Sequence, residues 1–334
     1  MVKKIIKKIF GLGNVLKIKD IINPFKIEEI IIDVSASCNA ECPFCPRIFM
    51  PEERAKGFIS LKLYEKILND AKSNNIKKLR LYSTAEPTMH PKFDAIINIA
   101  KDKGFEISLS TNASLLHKYM DSIVKVDLLQ YSIEGWDKES YEKYRFPLKF
   151  DRIFQNIKEF HEYMSKEEKN PKVSTNLLIT KKTDIRKYVE LWSEYIGDIN
   201  IHFMYDPVKY ENGKFIAKSL DTESEYFSLD RQTKNFYCSY PFSILTVAYD
   251  GKVALCCDDF AAELNIGDLN NMNIKEVLNS KVLNSVKEQF YTQKLDMCKE
   301  CSRFTKPKEE DVGYIKDQIA ALEKNMTNKI VFGY

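Results

Sequence analysis

The sequence contains no long apolar run, and this absence excludes whole classes of protein. No stretch of its 334 residues approaches the roughly 18 apolar residues that a membrane-spanning helix needs. The first residues also lack the apolar segment and small-residue cleavage site of a secretory signal peptide. We therefore expect a cytoplasmic protein.

The net charge is small, and histidine is rare as well. The 51 Lys and Arg residues against 48 Asp and Glu residues give a formal charge of +3, which is too small to support a nucleic-acid partner, and none is expected. The four histidines show no metal-ligand spacing, so each is expected to be structural, although His202, with Tyr205, is a candidate pocket residue. Eight cysteines remain. In a reducing compartment their clustering points to metal binding or catalysis rather than to disulfides.

From residue 29 onward, apolar strands alternate with amphipathic helices. The six predicted strands cover 30–34, 78–82, 105–110, 126–133, 173–179 and 199–204. Helical patterns lie between them at 61–72, 91–103, 152–164 and 185–195. This alternation predicts an α/β fold, a partial (β/α)6 TIM-like barrel over residues 29–215, with its chemistry at the C-terminal ends of the strands.

The remaining segments differ from the barrel in composition. Residues 1–28 are basic and amphipathic, which favours a helix packed on the barrel over one that contacts an anionic membrane surface. The polar stretch 207–235 predicts a connector to a small α+β domain over 216–310, in which Asp250-Gly251 predicts a hairpin turn and 274–290 a helix. Residues 311–334 are expected to form a C-terminal helix or tail.

Three cysteines, at positions 38, 42 and 45, directly follow the first predicted strand. Their thiolates can bind three irons of one 4Fe-4S cubane, and the absence of a fourth nearby cysteine leaves one iron open to another ligand. A zinc site is the alternative, but structural zinc sites close with four ligands at other spacings.

This CxxxCxxC pattern resembles the signature of the radical S-adenosylmethionine (SAM) superfamily. The resemblance implies a cluster held by Cys38, Cys42 and Cys45, whose open iron binds SAM. In that family, an electron from the reduced cluster cleaves SAM to a 5′-deoxyadenosyl radical, which then takes a hydrogen atom from the substrate. The cofactor carries that chemistry, and the protein supplies orientation and excludes water.

Two further segments resemble the family's SAM-binding motifs. Phe44 corresponds to the aromatic residue near the adenine. The segment STAEP at 83–87 resembles a GGEP motif without its glycines, and implies Ser83, Thr84 and Glu86 as SAM-binding residues, with Glu86 at the ammonium group. An ordinary βα turn with a solvated carboxylate is the alternative.

Four more residues extend the resemblance along the chain. Asn112 follows the third strand in a segment similar to TNG, where Ala113 replaces the glycine, and YSIEG after the fourth strand resembles SIDG. Ser132 and Glu134 alternate along that strand, so both are expected to reach the SAM ribose. Arg145 resembles the arginine that pairs with the SAM carboxylate, for which a surface salt bridge is the alternative.

A second set of cysteines lies at 238, 256, 257, 298 and 301. Their order resembles a SPASM or twitch domain, and the absence of cysteine after 301 implies the shorter form with one auxiliary 4Fe-4S cluster. The resemblance implies Cys238, Cys256, Cys298 and Cys301 as ligands, with Cys257 as an alternative to Cys256. A four-cysteine zinc site is the competing interpretation.

A cluster closed by four thiolates favours a role in accepting electrons, which an oxidation needs. Asp258 and Asp259 lie beside the ligand pair in sequence and are candidate bases for the proton lost in such a step. A purely structural role for both carboxylates in the turn is the alternative.

The leading interpretation is a radical SAM oxidoreductase that oxidises or epimerises a small polar molecule such as a sugar, cyclitol or alcohol. Its layout resembles 2-deoxy-scyllo-inosamine dehydrogenase. The second hypothesis is a peptide or protein maturase, either sulfatase-maturing or thioether-forming, although the 28 residues before the barrel are too few for a folded leader-recognition domain. The third is a non-enzymatic zinc or electron-transfer module. The expected partners are a small-molecule or peptide substrate and a reducing protein such as flavodoxin or ferredoxin.

Overall fold

The computed structural model describes residues 26–204, 238–299 and 301, the backbone of 208–211, 214–217, 229–231, 305–307 and 329–332, and residues 313, 315 and 318. The predictions for residues 1–25 and for Tyr205 lie outside this range. Within it, no helix combines the length and the apolar character that a membrane span requires.

The described residues form fourteen strands and ten α-helices. The strands are β1 (Glu29–Ile32), β2 (Lys78–Arg80), β3 (Glu106–Thr111), β4 (Leu128–Tyr131), β5 (Lys172–Ile179), β6 (Asp198–Phe203), β7 (Val208–Glu211), β8 (Lys214–Ala217), β9 (Leu229–Arg231), β10 (Ile244–Val247), β11 (Lys252–Ala254), β12 (Asn265–Asp268), β13 (Thr305–Pro307) and β14 (Lys329–Phe332). The helices are α1 (Leu61–Ser73), α2 (Phe93–Asp102), α3 (Met120–Ile123), α4 (Lys138–Tyr144), α5 (Phe150–Met164), α6 (Ile185–Trp192), α7 (Tyr240–Ser243), α8 (Ile274–Leu278), α9 (Lys281–Tyr291) and α10 (Asp296–Lys299).

One ten-stranded sheet organises the fold. Strands β1 to β6 are neighbours in chain order, and every adjacent pair among them is parallel. This confirms the predicted partial (β/α)6 barrel, because parallel neighbours need helical crossovers. All six predicted strands are present, with ends shifted by up to two residues.

The C-terminal region joins the same sheet at both edges, which the sequence did not predict. Strand β10 pairs parallel with β1, and β11 and β12 continue the sheet as an antiparallel extension. At the other edge, β14 pairs parallel with β6, so residues 329–332 form a strand where a helix or tail was expected. The hairpin turn at Asp250-Gly251 is confirmed, with Gly251 at φ +86°.

Local capping sets where several helices begin. Ser60 accepts a hydrogen bond from the Leu63 amide at the start of α1. The predicted helix over 274–290 is instead two helices, because α8 ends at Leu278 and Ser280 caps a new start by accepting from the Leu283 amide. Ser280 thus starts a second helix within a segment whose apolar periodicity predicts a single one.

Candidate active site

The cysteine loop after β1 is tied to the loops after β2 and β3. The Glu86 amide donates to the Ser37 carbonyl at 3.2 Å, and the Asn112 side-chain amide donates to Asn39 Oδ1 at 2.9 Å. Asn39 lies between Cys38 and Cys42 in sequence. These contacts bring three of the predicted motifs together at the C-terminal ends of the strands, as expected for a barrel active site.

Glu86 is a buried brace between two of these loops. Its Oε1 accepts from the Thr88 amide and hydroxyl and from the Thr111 hydroxyl, and its Oε2 accepts from the Asn112 amide at 2.7 Å. Burial raises its pKa, and these four hydrogen bonds oppose that rise. The carboxylate is therefore not the solvated group of an ordinary turn.

The three thiols of the cysteine loop influence one another electrostatically. Burial raises the pKa of Cys38 to about 11 and that of Cys42 to about 12, and each thiol is further disfavoured as an anion by the negative charge of Cys45. Among the described residues, no three Cys, His, Asp or Glu side chains converge as they would around a single metal ion. A cubane requires no such convergence, because each thiolate binds a different iron.

Arg145 links this loop to the end of β4. Its Nε donates to Glu134 Oε2, its Nη1 lies 3.5 Å from Cys42 Sγ, and its guanidinium lies 5.3 Å from the centre of the Phe44 ring. Both charged side chains are buried, so the pair is not a surface salt bridge. Glu134 Oε1 is buried and has no well-formed hydrogen bond in the described part of the chain, and the Leu178 backbone N–H lies close enough to the carboxylate to oppose the rise in its pKa that burial causes.

Asp33, at the end of β1, was missed by the sequence analysis. It is buried and accepts from the Thr84 amide at 3.2 Å and from the Thr84 hydroxyl at 3.0 Å. Burial raises its pKa to about 6, and the Thr84 bonds and nearby Arg54 and Arg47 oppose that rise. The available signal was a lone carboxylate at the C-terminal end of the apolar segment IIIDV.

Two backbone positions explain why glycine matters in these motifs. Ala113 adopts φ +63°, a left-handed conformation that favours glycine, at the position where the family motif has glycine. Gly135 adopts φ +109°, and a Cβ there would lie 2.4 Å from the Tyr141 amide nitrogen. The turn that carries Glu134 into α4 therefore requires Gly135.

The second cysteine set surrounds the Asp258 carboxylate. Its Oδ2 lies 3.9 Å from Cys301 Sγ and its Oδ1 lies 4.0 Å from Cys257 Sγ. Burial raises the pKa of Cys298 to about 12, and the nearby Cys301 and Cys238 thiols raise it further. The structure thus brings the N-terminal and C-terminal members of this set together.

The choice between Cys256 and Cys257 stays open on these contacts. Burial, followed by the charges of Asp258 and Cys257, raises the pKa of Cys256 well above its ordinary value. Cys257 lies beside the Asp258 carboxylate, and its carbonyl accepts from the Ser83 hydroxyl at 3.4 Å. The auxiliary turn therefore touches the loop that carries the STAEP segment.

Asp259 lies in the same turn but points elsewhere. Its two oxygens accept from the amides of Glu263 at 2.8 Å and Leu264 at 3.0 Å. Its own amide donates to the Cys256 carbonyl at 3.1 Å. Asp259 thus holds the turn in shape, and Asp258 is the carboxylate beside the sulfurs.

The inner face of the barrel is largely polar. Apolar residues of each strand pack in the main core, as Ile107 and Leu109 of β3 do, and the alternate residues lie on the opposite face. The polar members of this opposite face on β2 to β6 include Arg80, Ser108, Ser110, Gln130, Asn176, Asn200 and His202, with Ser132 directly after β4. Leu128 and Leu178 are apolar members of the same face. Ser110 and Ser132 hydrogen-bond across strands at 2.9 Å, and Arg80 is paired with Glu29 at 2.7 Å.

Comparison with known families decides what these features belong to. The model of the radical SAM superfamily matches residues 32–191, and that of the iron-sulfur cluster-binding SPASM domain matches residues 238–302. The chain belongs to the radical SAM superfamily. A SAM-binding 4Fe-4S cluster and SAM are therefore its cofactors, and its SPASM domain is an auxiliary iron-sulfur domain.

A curated relative supports the same family over a shorter region. The chain is 30% identical over 112 residues to the tungsten-containing aldehyde ferredoxin oxidoreductase cofactor-modifying protein of Pyrococcus furiosus. That match covers 31% of this chain and 30% of the relative. The chain thus matches less than a third of the relative's length.

Solved structures share the fold over most of the chain. Streptococcus suis SuiB bound to the precursor peptide SuiA has a TM-score of 0.60 at 15% identity, covering 81% of this chain and 69% of that one. The enzyme anSMEcpe with bound AdoMet has a TM-score of 0.60 at 15% identity, covering 89% and 100%. BtrN in complex with AdoMet and 2-DOIA has a TM-score of 0.51 at 14% identity, covering 82% and 92%.

The residues present fit these cofactors. The loop after β1 supplies three thiols and no fourth, which is the donor set of a cluster with one open iron. Glu134 Oε1, buried beside that loop without a well-formed hydrogen bond among the described residues, is an acceptor available to a hydroxyl or ammonium group.

Proposed function

We propose that Cys38, Cys42 and Cys45 hold the SAM-binding cluster, and that this enzyme oxidises or epimerises a small, neutral, polar molecule inside the barrel. The observation that supports the substrate class is the polar inner face. Most of its described side chains carry a hydroxyl or an amide group, and the half-buried cation Arg80 is paired with Glu29. Such a lining suits a sugar, cyclitol or alcohol.

The chain's own residues have distinct tasks in this proposal. A SAM molecule bound at the open iron supplies the 5′-deoxyadenosyl radical that takes a hydrogen atom from the substrate. Arg145 keeps guanidinium N–H groups for the SAM carboxylate, and Glu134 Oε1 accepts from the ribose. Phe44 and Asn112 position the adenosine and the cysteine loop, and Ser83, Thr84 and Glu86 hold the adjoining loop.

The auxiliary domain provides the electron acceptor that an oxidation needs. We propose one auxiliary 4Fe-4S cluster held by Cys238, Cys256, Cys298 and Cys301, which would supply an acceptor for the electron that an oxidised substrate loses. Asp258 takes the proton, because its carboxylate lies beside the sulfurs whereas that of Asp259 is used by the turn. We place the barrel at residues 29–215 and the auxiliary domain at 216–310, with a flavodoxin or ferredoxin as the external electron donor.

Peptide modification is the second candidate function. SuiB and anSMEcpe, which share the fold, have structures with bound peptides. In this chain, Ile48, Phe58 and Phe146 are exposed apolar side chains close in sequence to the cysteine loop or to Arg145. Exposed apolar side chains suit contact with a peptide better than contact with a polyol.

Product analysis after anaerobic reconstitution tests the proposal. The parent enzyme should hold about eight irons in two cubanes and form 5′-deoxyadenosine from SAM and a reductant. The triple variant Cys38→Ala, Cys42→Ala, Cys45→Ala should retain about four irons and form no 5′-deoxyadenosine.

Mass spectrometry after incubation with extracts of the source cell should show a small polar molecule losing two mass units, or gaining one in D₂O if it is epimerised. 5′-Deoxyadenosine from the triple variant would refute the cluster assignment, and a modified peptide would favour the second function.

A further inference from the structure

The buried pair of Glu134 and Arg145 has a definite orientation toward the cysteine loop. The Arg145 guanidinium is held at one end, where Nε donates to Glu134 Oε2. At its other end, Nη1 lies 3.5 Å from Cys42 Sγ. The cation therefore stands between the carboxylate and the sulfur, and the positive end of the pair faces the cysteine loop.

Burial makes this orientation strong electrostatically. The side chains of Arg145 and Glu134 are 11% and 2% exposed, and Cys42 is 5% exposed. Water and salt screen such charges little, so a cation beside a sulfur has a much larger effect here than at a surface. The Phe44 ring covers another side of the guanidinium and limits its alternative positions.

We propose that the Glu134–Arg145 pair raises the reduction potential of the SAM-binding cluster by holding a fixed cation against its Cys42 ligand. This inference rests on the ligation by Cys42 under the proposed function. Reduction transfers one electron from an external low-potential donor to the cluster, and no proton moves with it. Arg145 stabilises the added negative charge through its N–H contact with the ligand sulfur, which is one of the factors that set such potentials. Glu134 is a positioning residue, and its own charge opposes part of the effect.

Substitutions at the two positions should move the potential in opposite directions. Arg145→Met removes the cation and leaves the anion, so the ratio of reduced to oxidised cluster at a fixed potential should fall about tenfold, equivalent to about 59 mV for one electron. Glu134→Gln keeps a hydrogen-bond acceptor for Arg145 and removes the anion, so the ratio should rise. The double variant should lie between the parent and Arg145→Met. It also provides a test if Arg145→Met misfolds around an unpaired buried carboxylate.

Anaerobic redox titration followed by electron paramagnetic resonance, without SAM or substrate, measures these ratios. The auxiliary cluster in the same sample is the internal reference and should not shift. Lys149→Met, which removes an exposed cation from its pair with the half-buried Glu142, is the matched control and should leave both potentials unchanged. Shifts of the same sign for Glu134→Gln and the double variant, or no shift in either, would overturn this inference alone. A parent enzyme without the first cluster's signal would overturn the ligand assignment together with the inference.

Discussion

At the residue scale, Glu86 has a structural role that its sequence motif does not reveal. Its four hydrogen bonds come from N–H and O–H donors in the loop after β2, at the last residue of β3 and in the loop after β3. An acidic residue after a strand indicates a ligand contact, but only the fold shows which donors surround it. The sequence predicted a SAM contact for Glu86, and the structure adds that its carboxylate connects the loop after β2 with the end of β3 and the loop that follows.

Glu86→Gln should distinguish a role of Glu86 in holding the two loops together from a direct contact with SAM. The glutamine amide group must face at least one of these donors, which should cost about 1 to 3 kcal/mol in the free energy of unfolding and also weaken SAM binding. Anaerobic denaturant unfolding and calorimetric titration of SAM measure the two effects. Glu65→Gln, on the exposed face of α1, is the control and should change neither. Weaker SAM binding at unchanged stability would mean that Glu86 contacts SAM without bracing the loops.

Asp33 should make stability depend on pH in a defined window. Burial raises its pKa from 3.8 to about 6, so the folded state binds its proton more tightly than the unfolded chain does. The contribution of this carboxyl group to the free energy of unfolding is fully present below about pH 4 and is lost as the pH rises through about 6.

Asp33→Asn removes that titration and keeps hydrogen-bonding atoms opposite Thr84. The free energy of unfolding of the variant relative to the parent should rise between pH 4 and pH 7, by up to about 3 kcal/mol. Anaerobic unfolding of both proteins at four pH values in that range measures the difference. A difference that stays flat across the window would show that the carboxyl titrates normally in the fold.

At the element scale, the parts set by local pattern were predicted well. The six barrel strands and their crossover helices follow from alternation and periodicity, which depend on neighbouring residues. The pairing of β10 with β1 and of β14 with β6 was not predicted, because it joins segments far apart in sequence. Parallel edge pairing leaves no turn signal such as the Asp250-Gly251 that marks the β10–β11 hairpin.

The β4–α4 turn should be far less tolerant of substitution than other glycine positions. Gly135→Ala adds conformational strain at φ +109° and places a Cβ 2.4 Å from the Tyr141 amide nitrogen. The backbone of the turn must therefore move, and Glu134 moves with it. Gly104→Ala has φ +75° but nothing within 4 Å of the added carbon, so only the conformational strain of about 1 to 2 kcal/mol applies. Thermal unfolding should show a clearly larger loss for Gly135→Ala. Equal losses would mean that the turn relaxes freely.

At the scale of the whole molecule, the hairpin that leads to Cys256 and Cys257 belongs to the same sheet as β1, which leads to the first three cysteines. The β10–β11 hairpin continues the barrel sheet from β1, and the Ser83 hydroxyl donates to the Cys257 carbonyl in the turn that follows. The sequence placed a separate domain after a connector, since spacing reveals ligand sets but not which surfaces they join.

The last prediction separates the electron-accepting role of the auxiliary cluster from a structural one. Cys298→Ala should lose about four irons and still form 5′-deoxyadenosine, because SAM cleavage and hydrogen abstraction precede the step that needs an electron acceptor. Release of oxidised product should then stop. Iron analysis, chromatography of 5′-deoxyadenosine and mass spectrometry of products measure the three quantities.

The adjacent pair Cys256 and Cys257 supplies the matched control for that variant. Whichever of the two binds iron should reproduce Cys298→Ala when changed to alanine, and the other should retain about eight irons and normal product. Circular dichroism must match the parent, because loss of a metal site can unfold a small domain. Asp258→Asn keeps every thiolate, so it should retain both clusters and slow only the proton-loss step. Normal product from a folded variant without the auxiliary cluster would reject the electron-accepting role and favour a redox-neutral epimerisation.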